Sequence, residues 1–308
     1  MQVYWSTATY LAEHRGPCVA TLGTFDGFHR GHAAIFEQLS RTAEIHRLPA
    51  VAITFHPHPR VLVTPDDPPQ LLTTPEEKIE ILTDAFDGSL VFVTFDDSLR
   101  QMTAEQFARE ILLGRFEVRS LVVGYNHSFG HLRSGNVDNL ATIAAKEGFD
   151  LQVTGPVTFR DIPISSSRIR RVVKSGDWDD AISMLGHPYP IRGKVIRGIA
   201  QGRKMGWPTI NLAWPERKLL PMAGVYSCSA MVAGTAYRGM MFVGVNMLNP
   251  QQVLSVEAHL FDFDREVYDA EATICPLHFI RPNVRFDTID ALSRQIAKDK
   301  ETVLKLIQ

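Results

Sequence analysis

The sequence has few cysteines, almost no net charge and no long apolar run. Its three cysteines, Cys18, Cys228 and Cys275, lie far apart and form neither a metal-binding nor a disulfide spacing. Such sparse cysteine favours a reducing compartment, so we expect a cytoplasmic protein. Lys and Arg number 32 against 34 Asp and Glu, which disfavours a general electrostatic grip on nucleic acid. Without a bilayer-length apolar run or a secretory signal pattern, no membrane partner is predicted.

The length and composition predict a folded chain with two domains. Apolar residues make up 45% of the 308 residues and charged residues 21%, which excludes a disordered chain. At roughly 150 residues per domain, we expect two domains with a core each. The segment Gly186-His187-Pro188-Tyr189-Pro190 is typical of a hinge and places the boundary between residues 1–186 and 187–308. The oligomeric state stays open, with a weak homo-oligomer as one alternative.

The first half alternates strand and helix patterns. Thr74, Pro75 and Glu77 form the start of a helix, because threonine caps, proline suits the first turn and glutamate completes a capping box. Continuous apolar strands separated by helices indicate a parallel sheet covered on both faces. Ligands of such sheets bind beyond the carboxyl ends of the strands. The predicted strands are residues 18–22, 50–55, 90–95 and 120–124.

The second half has a different pattern, with closely spaced strands and few helices. Runs such as IRGKVI, GVYSCSAMV and YRGMMFVG are separated by turn residues, which predicts a small antiparallel β-barrel. Residues 287–307 carry apolar side chains at helical spacing, so we expect a C-terminal helix that packs on the barrel.

A glycine-rich turn, GTFDGFHRGH at residues 23–32, joins the first predicted strand to the following helix. Its glycines allow close approach of the backbone to a ligand, and the helix start offers free N–H groups to phosphate. The imidazoles of His29 and His32 can converge on one phosphate and stabilise charge on it. A turn with incidental histidines is the alternative, and zinc ligation is a third that lacks a further ligand nearby. The candidate nucleotide contacts in this turn are Gly23, Phe25 and Asp26.

Two later segments add candidates for the same nucleotide. Residues 164–170 (ISSSRIR) place hydroxyls and cations at a predicted helix start, although an ordinary helix cap followed by a solvated face has the same pattern. The loop at residues 124–135 follows a strand, and its aromatic residue is also compatible with a core position. The candidate contacts are Ser165, Ser166, Ser167, Arg168, Asn126 and Arg133.

A second glycine-rich segment, at residues 193–212, precedes the barrel strands. Thr209 and Asn211 alternate along an extended stretch, so both can face one way and hold Mg²⁺ with a nucleotide phosphate. A carboxylate such as Glu257 inside a barrel can take a proton from an attacking hydroxyl. A glycine-rich barrel corner and an outward-facing Glu257 are the alternatives. The other candidate contacts of this segment are Gly198, Gly202, Arg203 and Pro208.

The first half resembles the adenylyltransferase module of prokaryotic bifunctional riboflavin kinase/FAD synthetase, which has a paired-histidine signature. The segments that carry this resemblance are GTFDGFHRGH, TFHPHPR, the Asn126 loop with RSG at 133–135, and ISSSRIR. The resemblance implies an α/β nucleotidyltransferase with a Rossmann-like sheet that forms FAD and pyrophosphate from FMN and ATP. It also implies His29 and His32 at the ATP phosphates, Asn126 near the flavin nucleotide, and residues 165–168 at the phosphate tail.

The second half is similar to the riboflavin kinase module of the same family. GKVIRGIAQGRKMGWPTINL, LLPMAGVY, VEAHLFDFDREVYD and FIRPNVRFDTIDALSRQIAKD occur in the family's order. The resemblance implies ATP-dependent phosphorylation of riboflavin, with Thr209 and Asn211 at Mg²⁺·ATP and Glu257 as the base for the 5′-hydroxyl. The expected small-molecule partners are therefore ATP, riboflavin, FMN and FAD.

One stretch departs from the family pattern. Residues 242–248 read FVGVNML where the family has Asn-Ile-Gly followed by Pro-Thr. This apolar replacement motivates an alternative, in which the protein is an FAD synthetase whose degenerate kinase barrel only binds flavin. A third hypothesis, a flavin-responsive RNA-binding regulator, is disfavoured by the near-neutral charge and by the presence of Thr209, Asn211 and Glu257.

Overall fold

The chain forms two compact units, Met1–Ser166 and Ser167–Gln308. The computed structural model describes residues 1–130, 135–198, 201–245 and 253–306. Within these ranges, no helix has both the length and the apolar character needed to cross a bilayer. The units divide ahead of the hinge at residues 186–190, so residues 167–186 lie in the second unit.

The first unit is built on a parallel sheet of six strands in the order β1-β4-β3-β2-β5-β6. The strands are β1 (Gln2–Tyr4), β2 (Cys18–Leu22), β3 (Ala50–His56), β4 (Ser89–Thr94), β5 (Val118–Gly124) and β6 (Asp150–Thr154). The helices are α1 (Thr7–Glu13), α2 (Arg30–His46), α3 (Pro59–Val63), α4 (Pro75–Ala85), α5 (Asp97–Gln101), α6 (Ala104–Gln106) and α7 (Val137–Glu147). A two-stranded ribbon, β7 (Thr158–Phe159) with β8 (Ile162–Pro163), follows.

The predicted strands form the centre of this sheet because their side chains are buried on both faces. Alternate residues of β2 belong to two different apolar clusters: Ala20 and Leu22 pack in one, and Val19 in the other. The edge strands β1 and β6 were not predicted from the sequence. From β2 the chain first builds outward to β3 and β4, and then returns to place β5 on the other side of β2. This switch point opens a crevice at the carboxyl ends of β2 and β5.

The helical segment after Thr103 changes its winding. Thr103 and Gln106 form a capping box at its start, and α6 then continues as a π-helix over Phe107–Leu113. Hydrogen bonds from an N–H to the carbonyl five residues earlier, such as that from Phe116 to Ile111, lie at the end of this segment. Phe107 and Ile111 are both buried in the core beside the sheet.

The second unit is a closed antiparallel barrel with strand order β10-β13-β12-β11-β14-β9. The strands are β9 (Ile191–Ile196), β10 (Ile210–Ala213), β11 (Gly224–Val232), β12 (Thr235–Val245), β13 (Leu254–Leu260) and β14 (Glu271–Pro282). The helices are α8 (Ser166–Ser175), α9 (Trp178–Leu185), α10 (Gln201–Lys204) and α11 (Ile289–Leu306). The expected fold class, a parallel α/β domain followed by a small barrel with a C-terminal helix, is confirmed.

Helix α9 belongs with the barrel through Trp178. Its indole nitrogen donates to the carbonyl of Leu277 on β14 at 3.1 Å. The ring packs edge-on against Tyr189 and Tyr226, with centroids 5.7 and 5.5 Å away. These contacts explain why this helix, which precedes the hinge in sequence, lies in the second compact unit.

Candidate active sites

The turn between β2 and α2 is shaped by positive backbone angles at three of its residues. Gly27 has φ +80°, which favours glycine, while Phe25 and Phe28 have φ of 47° and 31°. Both phenylalanine rings are buried and pack 5.0 Å from the ring of Phe36, which offsets the strain. A Cβ on Gly23 would lie 2.8 Å from the Phe25 ring. The side chain of Phe25 is therefore part of the core, and its backbone remains the part that can meet a ligand.

Asp26 braces this turn from inside the unit. Its buried carboxylate accepts from the backbone N–H groups of Leu72 and Thr73 at 3.2 and 3.0 Å. The N–H of Gly27 in turn donates to the hydroxyl of Thr73 at 3.0 Å. Through these donors Asp26 positions the turn, and a contact of Asp26 with the nucleotide stays a prediction.

His29 and His32 lie stacked at the start of α2. Their ring centroids are 3.7 Å apart and the planes differ by 15°. Nδ1 of His29 accepts from the N–H of His32 at 3.3 Å, so a neutral His29 carries its proton on Nε2. A Cβ on Gly31 would lie 3.1 Å from the His29 ring, which makes glycine the residue that leaves room for this arrangement.

His32 is held in the neutral form. Burial lowers its pKa well below 6.5, and the charges of His29 and Lys78 lower it further. Its Nδ1 is buried and makes no hydrogen bond. A neutral imidazole with its proton on Nε2 can donate to a phosphate oxygen without the cost of burying a second cation.

Ser166 and Asn126 are brought to the same end of the sheet as the histidine turn. The hydroxyl of Ser166 donates to the carbonyl of Asp26 at 2.9 Å, which joins the ISSSRIR segment to the turn. Asn126 follows β5 and is exposed, and a Cβ on Gly124 would lie 3.6 Å from its Oδ1 and 3.1 Å from Ile35 of α2. Half-buried Ser165 precedes α8.

Three further predicted contacts are Ser167, Arg168 and Arg133. Ser167 is exposed and Arg168 half-buried on α8, in the part of the chain assigned to the second unit. Arg133 lies outside the described residues. The zinc alternative for His29 and His32 gains no support, because no group of three or more His, Cys, Asp or Glu residues among those described is placed to hold a metal ion.

The barrel brings Thr209, Asn211 and Glu257 together. Asn211 of β10 is the direct cross-strand partner of Glu257 on β13, and directly opposed residues project from the same face. The Thr209 hydroxyl lies 3.4 Å from Glu257 Oε2, and the Ser255 hydroxyl donates to Oε1 at 3.0 Å. A hydroxyl, an amide and a carboxylate thus converge at one end of the barrel. Glu257 is half-buried, alternates along β13 with fully buried Val256 and Ala258, and lines a cavity together with residues of α11.

That cavity has a volume of about 260 Å³ and is closed on one side by α11. Arg281 is among its lining residues, and its guanidinium forms a bidentate ion pair with Asp299 of α11. The apolar wall from α11 consists of Ile289, Leu292 and Ile296. The C-terminal helix therefore packs over the barrel as expected and contributes directly to the site.

The glycines predicted as nucleotide contacts allow close approach between chain segments. A Cβ on Gly202 would lie 2.3 Å from the carbonyl oxygen of Trp207, and one on Gly198 would lie 2.4 Å from the amide nitrogen of Asn211. Arg203 is exposed and forms a surface ion pair with Glu266 at 3.4 Å. The carbonyl of Pro208 accepts from His259 Nδ1 at 2.8 Å.

The departing stretch at residues 242–248 lies only partly within the described residues. Phe242 is the cross-strand partner of Glu257, so an aromatic ring stands beside the carboxylate and lines the cavity. Val243, Gly244 and Val245 complete β12, and residues 246–248 lie outside the described ranges.

Comparison with known proteins gives two family matches, one over each half of the chain. Residues 11–168 match the FAD synthetase family, and residues 185–307 match the riboflavin kinase family. The chain belongs to the bifunctional riboflavin kinase/FMN adenylyltransferase family. The relative from Listeria monocytogenes is 33% identical over 92% of this chain and 90% of its own. The relative from Pseudomonas fluorescens is 33% identical over 97% of this chain and 96% of its own.

A solved structure is similar to both units. A Streptococcus pneumoniae protein described as a macrolide-efflux protein has a TM-score of 0.85 and 28% identity, and the match covers 95% of this chain and 96% of that chain. The FAD synthetase unit and the riboflavin kinase unit of this chain therefore each have a counterpart of the same fold.

Sequence reasoning missed three polar groups at the two sites of this bifunctional family member. Lys78 is buried beside the histidine turn, His259 lies two residues after Glu257 on the same face of β13, and Arg281 pairs with Asp299. A signal exists for Lys78, because it lies one helical turn before buried Leu82 and so on the apolar face of α4. Alternation along β13 is the corresponding signal for His259.

Proposed function

We propose that this protein makes FAD from riboflavin in two ATP-dependent steps. The riboflavin kinase unit transfers the γ-phosphoryl group of ATP to riboflavin, and the FAD synthetase unit transfers the adenylyl group of a second ATP to the resulting FMN. The observation that carries the proposal is that both family matches occur in one chain, in order, over two compact units.

In adenylyl transfer, a phosphate oxygen of FMN attacks the α-phosphorus of ATP. The bond from that phosphorus to the bridging oxygen breaks as the new bond forms, and pyrophosphate leaves. His29 and neutral His32, at the positive end of α2, donate N–H groups to the phosphate oxygens on which charge accumulates. Ser166, held to the turn at the carbonyl of Asp26, supports the binding of the phosphate tail.

In the kinase step, the 5′-hydroxyl of riboflavin attacks the γ-phosphorus of ATP and ADP leaves. Glu257 takes the hydroxyl proton, and Ser255 and Thr209 hold its two oxygens in place. Riboflavin has an apolar ring system and a polar tail, and the cavity that contains Glu257 offers a largely apolar wall for the ring.

The oxygen donors at this site suit a hard divalent cation. Thr209 and Asn211 supply a hydroxyl and an amide oxygen next to Glu257, which are ligands that Mg²⁺ accepts together with phosphates. Mg²⁺ held there with ATP supplies neutralisation of the charge that develops on the transferred phosphoryl group.

The two alternative functions are not favoured. A degenerate barrel would be expected to lose the polar site, yet Thr209, Asn211 and Glu257 are assembled in spite of Phe242 beside them. An RNA-binding regulator is disfavoured by the charge balance, because acidic side chains exceed basic ones by two.

The test is a product assay on the purified chain. Incubation with riboflavin, ATP and Mg²⁺ should yield FMN followed by FAD, resolved by chromatography. Formation of FAD from added FMN but never from riboflavin would establish the alternative with an inactive kinase. Absence of FMN and FAD from both incubations would overturn the proposal.

Two variants assign the steps to their sites. His29→Ala should lower FAD formation from FMN by at least about 100-fold, the usual effect of removing a donor to developing charge, and leave FMN formation unchanged. Glu257→Gln should lower FMN formation by about 100-fold or more and leave FAD formation from FMN unchanged. If each variant impairs both steps equally, the assignment is wrong.

A further inference from the structure

Lys78 is a buried cation in the FAD synthetase unit that no step described above uses. It lies on the inner face of α4 with 6% of its surface exposed. Taking an ammonium out of water is costly, so a purely structural position on this face would be better filled by an apolar side chain. The presence of a buried ammonium in spite of this cost indicates a role for its charge.

The contacts of Lys78 lead to the histidine turn. Its ammonium donates to the carbonyl of Thr24 at 2.5 Å, inside the turn, and to the hydroxyl of Thr54 on β3 at 3.2 Å. Phe92 of β4 lies under it, with 5.9 Å from the nitrogen to the ring centroid. Lys78 therefore binds the strand end of the histidine turn. Asp26 stabilises the same turn further along the chain.

The charge of Lys78 also acts on the reacting end of the turn. Among the described residues, Asp26 of the turn favours the ammonium, and the ammonium opposes protonation of His32 on α2. Burial lowers the pKa of Lys78 itself to about 8. Around neutral pH the pair is thus a charged lysine and a neutral histidine.

We propose that Lys78 is a positioning residue for adenylyl transfer, whose buried ammonium holds the Thr24 end of the turn in place and supplies positive charge next to the paired histidines. The charge sits behind the turn, where it favours the polyphosphate of ATP without touching it, while His32 stays neutral and able to donate. This inference rests on the proposed adenylyl transfer and adds a group to its site.

The first test compares Lys78→Met with Lys78→Arg and with the matched surface change Lys146→Met, whose lysine is 56% exposed in an ion pair with Glu105. Lys78→Met should lower kcat for FAD formation from FMN by about 100-fold, with a smaller change in KM for ATP. Lys146→Met should keep the wild-type rate. FMN formation by the kinase unit serves as an internal control in every variant.

The second test separates the charge from a merely structural role. In the ¹³C-labelled chain, the imidazole of His32 should titrate at a higher pH in Lys78→Met, because the opposing charge is gone, and at its original low pH in Lys78→Arg. An unchanged His32 titration in Lys78→Met, or a loss of kcat no larger than in Lys146→Met, would overturn the proposal.

The third test is the pH profile of FAD formation, measured on the wild-type protein and on one active variant. As Lys78 loses its proton, kcat/KM for ATP in FAD formation should fall above about pH 8 in the wild type. Whichever Lys78 variant retains activity should lack this limb, because neither arginine nor methionine titrates there. A wild-type profile that is flat to about pH 9.5 contradicts the proposal. A wild type that makes no FAD at any pH overturns the proposed function instead.

Discussion

At the scale of single residues, both sites depend on carboxylates that fold the chain around the reacting groups. Asp26 is the clearest case, because its side chain accepts two backbone N–H groups from the segment that begins α4. A residue that sequence reasoning placed at the nucleotide thus also fixes the shape of the turn that carries the histidines. The ring of Phe25, likewise a predicted contact, is buried in the core, so the backbone of Phe25 is the part that remains for a ligand.

Asp26→Ala should destabilise the FAD synthetase unit. The change leaves the N–H groups of Leu72 and Thr73 buried without an acceptor. Each unsatisfied group should lower the free energy of unfolding by roughly 1–3 kcal/mol. Hydrogen exchange in urea, read on peptides from residues 17–56, measures the unfolding free energy of this unit. Asp84→Ala, at an exposed position of α4, is the matched control and should change it by less than about 0.5 kcal/mol. Equal effects of the two changes would contradict this account of Asp26.

At the scale of secondary-structure elements, the kinase site is held by a loop and by a helix that approach the barrel closely. The loop is the segment from Gly202 to Thr209, and the helix is α11. One substitution can disturb each element, so the contribution of each can be measured separately.

Gly202→Ala should impair the kinase by moving this loop. The added Cβ would lie 2.3 Å from a backbone oxygen, that of Trp207, and the displaced loop carries Thr209 away from Glu257. We expect about a tenfold or larger loss of kcat/KM for FMN formation, since small misplacements of catalytic groups cost up to about 100-fold. Gly155→Ala, which has nothing within 4 Å of the new Cβ, should leave FMN formation unchanged. Wild-type FMN formation by Gly202→Ala would contradict the predicted displacement.

Asp299→Asn should loosen α11. It removes the charge that pairs with Arg281, in a contact of 2.8 Å where the two side chains are only 4% and 17% exposed. Leaving one buried charge unpaired costs about 3–5 kcal/mol, whereas Glu271→Gln in the exposed pair with Arg192 should cost under about 1 kcal/mol.

Tryptophan fluorescence during urea unfolding reports on this change. Three of the four tryptophans, Trp178, Trp207 and Trp214, lie in the second unit, so the signal follows mainly the barrel. The KM for riboflavin should also rise in Asp299→Asn, because α11 lines the cavity. Loss of stability no greater than in Glu271→Gln would show that the ion pair does not hold the helix.

At the scale of the whole molecule, the two clusters of polar groups lie in different compact units. The paired histidines and their bracing carboxylate lie within Met1–Ser166, and Thr209, Asn211, Glu257 and α11 lie within Ser167–Gln308. FMN is the product of one unit and the substrate of the other, so the two activities can be separated onto different chains.

A mixture of His29→Ala and Glu257→Gln chains should therefore convert riboflavin to FAD, although neither chain does so alone. FMN released by the kinase unit of the first chain diffuses to the intact FAD synthetase unit of the second. Timed chromatography of FMN and FAD measures this, with added FMN as the positive control for the second step. No FAD from the mixture, while added FMN is still converted, would mean that FMN does not leave the chain that makes it.

Much of the architecture follows from local patterns. The capping box at Thr74 and Glu77, the four central strands and the C-terminal helix occur where the sequence predicts them, because caps and apolar periodicity act over a few residues. The edge strands β1 and β6 were missed, since their burial is partial and their pairing depends on neighbours distant in the chain.

The sequence by itself determined the two folds, the glycine turn that begins α2 and the pairing of His29 with His32, all of which depend on residues close together in the chain. Only the tertiary structure decided what stands behind them. The ammonium of Lys78 meets Thr24, and the guanidinium of Arg281 meets Asp299, across different elements of the fold. Such buried charges become recognisable only when folding removes water from them and leaves each a few fixed partners.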